Sequence, residues 1–352
     1  MKIRMDQLIS SIGTALDAVE GELLGATTNH GRRIAILSAA MARHCGYDED
    51  SVSSIASCAL LHDNALSEYI LSEKPGKDQA INLVTHCMFG QRNVQVLPFR
   101  TGIDGYVKYH HERADGRGPF GKKEGEFPEE VAIIAIADAV DARDRLQFYP
   151  AAELDALRER IGRHTGSRYT RQAAAAMLAV LDEAMLQSLR DDIVFDTFAA
   201  HMPVWEVDLT DRAIMGITGI TAKIIDYKSE FTRNHSVQIS NISWLMAERY
   251  GFSEEDCAKM YLAAALHDLG KLKVPVEILE KLGKLTAEEF AIIKKHPRWT
   301  YEMLENIDGF EKINHIASNH HEKLDGSGYA RGLGAAELDL PMRMMTCASI
   351  RR

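Results

Sequence analysis

A chain of 352 residues is long enough for two ordinary domains, and 46% hydrophobic residues with 26% charged and only 9 prolines predict a soluble, globular protein without a disordered tract. The net charge of -10 and a pI near 5.8 exclude a broad duplex nucleic-acid surface, which needs clustered Lys and Arg, but leave room for a small anionic ligand in a local basic or metal-lined pocket. Cys45, Cys58, Cys87, Cys257 and Cys347 are odd in number and form no CxxC, no signal peptide precedes the first helix, and the longest apolar run, 131–137, stops at Asp138, so the expected setting is the reducing cytoplasm with no membrane span.

In chain order, Ile3, Leu8, Ile12, Leu16, Val19 and Leu23 recur at three-to-four spacing and predict an amphipathic helix over 1–24. The stretch 28–45 continues the helical pattern after a polar break and ends at Gly46. Asp48 then fits an N-cap, with Tyr47 placed to staple against Val52, opening a helix that runs into the adjacent pair His62-Asp63. Such a pair offers one nitrogen and one carboxylate from a single turn. Alone it is a weak signal, and its companions give it meaning. His86 follows 24 residues later, His110-His111 another 24 on, and the turn HHERADGRG leads into an apolar helix carrying Asp138 and Asp141. Residues 151–200 return to helical spacing around a turn at 162–166.

The second half repeats this grammar, shifted by 205 residues. His30 falls on His235, Gly46 on Gly251, Asp48 on Ser253, and His62-Asp63 on His267-Asp268, with Ser253 and Asp256 forming an acidic variant of the capping box. The next histidine, His296, comes after 29 residues instead of 24, which places a five-residue difference in a connecting loop, and His320-His321 follow after 24. Asp138 has Ser349 as its counterpart, and some fifty residues of the first copy have none. No alternating strand pattern of useful length is present. The expected architecture is all-α, with two tandem helical domains over 1–202 and 203–352.

His30, His62, Asp63, His86, His110, His111 and Asp138 are five imidazoles and two carboxylates, more than one tetrahedral ion needs and suited to two octahedral ions sharing a bridging carboxylate. Donors of nitrogen and oxygen without thiolate favour iron or manganese, with zinc or another divalent ion also accommodated. Two such ions would clamp phosphate oxygens and ionise a water between them, the two-metal route to phosphodiester hydrolysis, and no organic cofactor is called for. Singly, each histidine is more often a structural or solvated residue. Ten of the 14 histidines, however, occupy matched positions of the repeat, leaving His44, His164, His201 and His315 outside it.

HDLGK at 267–271 and HHEKLDGSGYARGL at 320–333 resemble the signatures of the HD-GYP family of metal-dependent phosphohydrolases. The resemblance implies an all-helical domain, a binuclear or sometimes trinuclear His/Asp centre, and hydrolysis of cyclic di-GMP to pGpG or GMP by a metal-bound hydroxide. On that footing His62 and Asp63 are the catalytic pair, and His30 is either a ligand or a substrate-side contact. Lys271 corresponds to a lysine that meets the substrate phosphate, with Arg113, Arg117 and Arg331 as weaker phosphate candidates. Asp115-Gly116 and Asp325-Gly326 read as turn formers, and Asp141 as a residue that orients a ligand. His235, His267, Asp268, His296, His320 and His321 would form a second metal site lacking its last aspartate.

Each copy departs from the family pattern. The first has Leu66 where the lysine is expected and GPF at 118–120 in place of GYP; the second keeps Lys271 and GYA but has Ser349. The family's optional third-metal glutamate would lie four residues before the first histidine, where Ala26 and Phe231 stand, so at most two ions per copy are expected. The leading expectation is therefore a cyclic dinucleotide phosphodiesterase. Its rivals are a non-hydrolysing module that binds a nucleotide or a partner, and an HD phosphohydrolase acting on another phosphate ester. A homodimer is a further expected arrangement.

Overall fold

The computed structural model describes residues 1–24, 26–73, 81–227 and 235–350, and position 231 lies outside them. The described residues are almost wholly helical, as the periodicity predicts, and divide into two compact units: Ile12–Trp205, and Met1–Ser11 together with Glu206–Arg352. The division differs from the expected one at the start of the chain. Residues 2–4 are extended instead of helical: β1 (Lys2–Arg4) pairs antiparallel with β2 (Glu206–Asp208). Ile3 is buried, the Arg4 amide donates to the Asp308 carbonyl at 3.2 Å, and the Leu209 amide donates to the Met1 carbonyl at 2.9 Å. These bonds satisfy main-chain groups that a helix end would leave open, and they group the first eleven residues with the C-terminal unit. Helix α1 (Met5–Leu24) starts only after them.

In the N-terminal unit α2 (His30–His44) is buried along most of its length and packs against α3 (Glu49–Leu60), α6 (Glu129–Asp144), α8 (Arg171–Val180) and α10 (Val194–His201). A helix enclosed by neighbours on all sides must bring small and apolar residues to every face, and Ile34, Ala35, Ile36, Leu37 and Ala39 do so. Gly46 ends this run at φ +84°, a conformation that glycine adopts without a Cβ penalty. Asp48 caps α3 by accepting from the Ser51 amide at 2.8 Å. The unit is completed by α4 (Leu66–Glu73), α5 (Leu83–Val94), α7 (Leu154–Arg163) and α9 (Glu183–Ser188).

The C-terminal unit contains α11 (Asp211–Tyr227), α12 (His235–Arg249), α13 (Glu254–Leu266), α14 (Val276–Leu279), α15 (Ala287–Ile293), α16 (His296–Leu304), α17 (Glu311–Ser318) and α18 (Leu340–Ile350). Helix α12 packs on α13, α11 and α18. Ser253 caps α13 by accepting from the Asp256 amide, and its hydroxyl donates to the Asp256 carboxylate at 2.9 Å. The length difference expected in one loop is spread over structured turns: a 3-10 turn at Leu269–Lys273 with α14 and α15 in this unit, against α4 in the other. Among the described residues no helix is long and apolar enough to cross a membrane.

Candidate metal centre

In the N-terminal unit the ligand candidates arrive from five places on the chain. The N-terminus of α2 brings His30, the turn after α3 brings His62 and Asp63, α5 brings His86, and the turn before the HHERADGRG loop brings His110 and His111; α6 supplies Asp138. His30, His62, Asp63, His86 and His110 are all buried. The Asp63 carboxylate stands between two sets of imidazoles. Its Oδ1 lies 3.0 Å from His86 Nε2 and 3.6 Å from His110 Nε2, and its Oδ2 lies 3.5 Å from His62 Nε2. Asp138 Oδ1 lies 3.4 Å from His30 Nε2 and 3.9 Å from His62 Nε2, and its Oδ2 lies 3.8 Å from His111 Nδ1. Donor atoms of His30, His62 and Asp138 fall within 4.8 Å of one another, and so do those of His86, His110 and His111. Two triads thus share Asp63 between them.

The outer nitrogens fix the inner ones. His62 Nδ1 donates to the Ala59 carbonyl at 2.8 Å and His110 Nδ1 to the Val107 carbonyl at 2.6 Å, which turns each Nε2 towards the centre. His110 Nε2 is buried without a hydrogen-bond partner. An inward-facing, unsatisfied nitrogen among carboxylates is what a divalent ion would complete, so the residues fit the implied ions. Cys87 belongs with His86, His110 and His111 by distance, but its thiol sits 3.8 Å from His110 Nδ1, the nitrogen that donates to Val107 and is turned away from Asp63. His30 Nδ1 donates to Asp141 at 2.6 Å, and Arg33, fully buried, holds that carboxylate through Nε at 2.8 Å and a terminal nitrogen at 3.0 Å. Asp141 therefore orients His30, and Arg33, which pattern reading passed over, anchors Asp141. Its signal was a charged residue on a helix face otherwise apolar.

Charge follows the same geometry. Burial opposes ionisation of Asp63, but His62, His110 and His86 outweigh it and hold the carboxyl well below its ordinary range. Burial and the neighbouring His110 push His111 down to about 3, so its imidazole is neutral at physiological pH. A cavity of about 590 Å³ opens onto the centre and is lined by His30, Asp63, His86, His111 and Asp138, with Leu66 on its wall and Arg143, Arg145 and Arg168 beside them. These three arginines and Glu20, which lines the same cavity, were not singled out by motif, because they come from a helix end, a remote turn and α1.

The phosphate candidates fall differently. Leu66, where a lysine was expected, is a buried apolar side chain. Arg113 is engaged by Asp115 through two bonds of 3.1 and 3.0 Å and lines a smaller neighbouring cavity of about 210 Å³. Arg117 is 81% exposed beside Asp115 and lines neither cavity. The motif residues after the histidines are structural. Glu112 is buried and accepts from the amides of Phe120 and Lys122 at 2.6 and 2.7 Å, and Asp115 accepts from the Arg117 amide, an Asx turn. Gly118 is required by close approach, since a Cβ there would lie 2.7 Å from Glu112 Cα.

In the C-terminal unit His267 Nε2 lies 3.2 Å from Asp268 Oδ2, and His296 and His320 lie 3.3 and 3.8 Å from Asp268 Oδ1. His235, His267 and Asp268 form one group and His296, His320 and His321 another. The two Nε2 atoms of His296 and His320 approach to 3.1 Å. Asp268 Oδ1 is buried without a hydrogen-bond partner. Lys271 does not point away to await a phosphate: its ammonium donates to Asp268 Oδ2 at 2.6 Å. Tyr329 stacks on His321 with ring centres 4.5 Å apart, and Arg331 lies over the Tyr301 ring at 4.3 Å. The Ser349 hydroxyl donates to the Thr346 carbonyl of its own helix.

The family model described as HD domain matches residues 219–350. Over 365 aligned residues the chain is 28% identical to the 3'3'-cGAMP-specific phosphodiesterase 1 of Vibrio cholerae, covering 99% of this chain and 82% of the relative. It is 38% identical over 131 residues to the cyclic di-GMP phosphodiesterase response regulator RpfG of Xanthomonas campestris, covering 37% of this chain and 35% of the relative. Among solved structures, a cyclic GMP-AMP specific phosphodiesterase of V. cholerae, V-cGAP3, superposes with a TM-score of 0.68 over 99% of this chain and 88% of that one. At 21% identity that likeness speaks to the fold.

Proposed function

We propose that the chain is a metal-dependent phosphohydrolase of the HD-GYP type, as its likeness to the HD-domain model and to the cyclic dinucleotide phosphodiesterases supports, and that its N-terminal unit hydrolyses a phosphodiester bond of a cyclic dinucleotide. One observation carries this assignment to the N-terminal unit: the two oxygens of Asp63 divide between two imidazole sets, with Asp138 on the far side of one of them. In this reading His30, His62, Asp63 and Asp138 would hold one divalent ion and Asp63, His86, His110 and His111 the other. The chemistry such ions supply is charge neutralisation at phosphate oxygens and acidification of water. The protein's own residues do the rest. His111, the least buried of the imidazoles in this centre, is neutral and therefore has a nitrogen lone pair to offer the second ion at the cavity wall. Arg143, Arg145 and Arg168 take over the phosphate grip that Leu66 cannot provide, and the apolar Leu66 wall excludes water from that side.

The relative that spans nearly the whole chain is named for 3'3'-cGAMP, which favours that substrate, and the relatives named for cyclic di-GMP favour the second. The C-terminal unit is assigned a non-hydrolysing role, supported by Ser349 at the place of the last aspartate and by the Lys271 ammonium lying on Asp268. The test is a product assay on metal-loaded protein with 3'3'-cGAMP and cyclic di-GMP in parallel, beside a His62→Ala/Asp63→Ala variant and a His267→Ala/Asp268→Ala variant. Linear products that vanish only in the first variant are the expected outcome. Hydrolysis of neither dinucleotide by the loaded protein would sink the proposal, and a dependence on His267/Asp268 would move catalysis to the other unit.

A further inference from the structure

Glu20 is a carboxylate that the N-terminal unit buries without satisfying. It is 1% exposed, and neither oxygen has a hydrogen-bond partner. Asp17, one turn earlier on the same helix, shows how an acid is normally accommodated here: it accepts from the Gly31 amide at 3.0 Å and from the Arg32 guanidinium at 3.3 Å. Glu20 instead lines the large cavity with His30, Asp63, His86, His111 and Asp138. Burial, and after it the carboxylates of Asp63 and Asp17, push its pKa well above the ordinary range. A buried carboxyl with no donor, turned towards two other acids, is costly as an anion until a cation joins it.

The position four residues before His30 is Ala26, whose methyl group offers no ligand atom. A carboxylate for a further ion would have to come from a different element, and the C-terminal unit places an acid on the helix corresponding to α1. Asp226 on α11 is 5% exposed, one position on from the register of Glu20 in the repeat, and close enough to Asp268 and His267 to feel their charges, although it is bonded to the Ser236 hydroxyl at 2.7 Å.

We propose that Glu20 is a metal ligand: delivered from α1, it adds a third carboxylate to Asp63 and Asp138 and holds a divalent cation beyond the two assigned to the imidazole sets. This rests on the metal-centre reading above, and it raises the capacity of this unit above the two ions expected from Ala26. Chelator-stripped wild type, Glu20→Gln, Glu20→Asp, His62→Ala/Asp63→Ala and the exposed control Glu22→Gln are titrated with Mn²⁺, reading bound manganese per chain and the manganese-induced rise in Tm. Glu20→Gln is expected to bind one equivalent fewer than wild type and Glu22→Gln, and to show a smaller Tm rise, while its stripped form unfolds no earlier than stripped wild type. Glu20→Asp keeps the carboxylate and is expected to retain the equivalent with weaker affinity. If His62→Ala/Asp63→Ala loses manganese while Glu20→Gln binds as wild type, Glu20 is no ligand. Equal losses in Glu20→Gln and Glu20→Asp, with an earlier-unfolding stripped form, would make its role structural and overturn the proposal. Full binding by His62→Ala/Asp63→Ala would remove the metal-centre reading and the Glu20 assignment together.

Discussion

Asp141 holds His30: the carboxylate and the imidazole Nδ1 are 2.6 Å apart, both buried, and the opposite ring nitrogen thereby faces Asp138. The bond selects one tautomer of His30 and one ring orientation. Asp141→Asn keeps the shape but removes the charge that stabilises a donating Nδ1 and leaves Arg33 short of its partner. The expected effect is a loss of roughly 10–100-fold in metal affinity, measured by manganese titration, with activity recovering at high metal concentration. Unchanged affinity would mean that Asp141 serves only Arg33.

Leu66 and the three cavity arginines make a second prediction. Leu66→Lys places an ammonium on the wall of the large cavity, where a charge-assisted hydrogen bond of about 1.5–3 kcal/mol to a phosphate becomes available. A fall in KM of roughly tenfold is expected, measured with both dinucleotides, whereas Arg168→Ala raises it. Lys271→Ala in the other unit leaves hydrolysis unchanged.

Gly270 is irreplaceable for a steric reason. A Cβ at this position would stand 2.0 Å from the His296 carbonyl and 2.7 Å from the Thr300 amide, because the 3-10 turn after His267 lies directly on α16. Thr300 binds the turn from the other side, its hydroxyl accepting from the Gly270 amide at 2.9 Å and donating to the His267 carbonyl at 3.0 Å. The N-terminal unit has Ala65 at the place of Gly270 and Gly90 at the place of Thr300, so bulk has moved from helix to turn. Gly270→Ala is expected to destabilise the C-terminal unit by more than about 2 kcal/mol, and Ala65→Gly the N-terminal unit by only about 1 kcal/mol. Chemical denaturation distinguishes them, and Gly270→Ala/Thr300→Gly is expected to recover part of the loss.

Asp226 gives the C-terminal unit a pH dependence. Burial lifts its pKa from 3.8 to about 6, so between these values the folded protein binds a proton that the unfolded chain has released. Stability is therefore greatest on the acid side of that window and falls as pH rises through it, by roughly 1–3 kcal/mol. Asp226→Asn stays neutral throughout. In metal-stripped protein the wild-type-minus-variant difference in unfolding free energy is expected to grow less favourable to wild type from about pH 4 to 6 and then level off; a flat difference would reject the assignment.

The all-helical class was legible in the sequence because a buried helix writes its period into the chain, and the caps at Asp48 and Ser253 were legible because capping is a local bond. The candidate ligands were legible because ten histidines recur at matched spacing, which scattered histidines do not do. What depended on through-space packing was invisible. The β1–β2 pairing joins residues about two hundred positions apart, too short at three residues each to leave a periodic trace, and it draws the chain start to the C-terminal unit. Lys271 matched a motif, yet the fold lays its ammonium on Asp268. Glu20 and the cavity arginines matched none, since only the tertiary fold brings α1, the end of α6 and the turn at Arg168 to the cavity that the histidines line. Local bonds and periods are properties of neighbours in sequence; the charges that share a cavity are chosen by the tertiary structure.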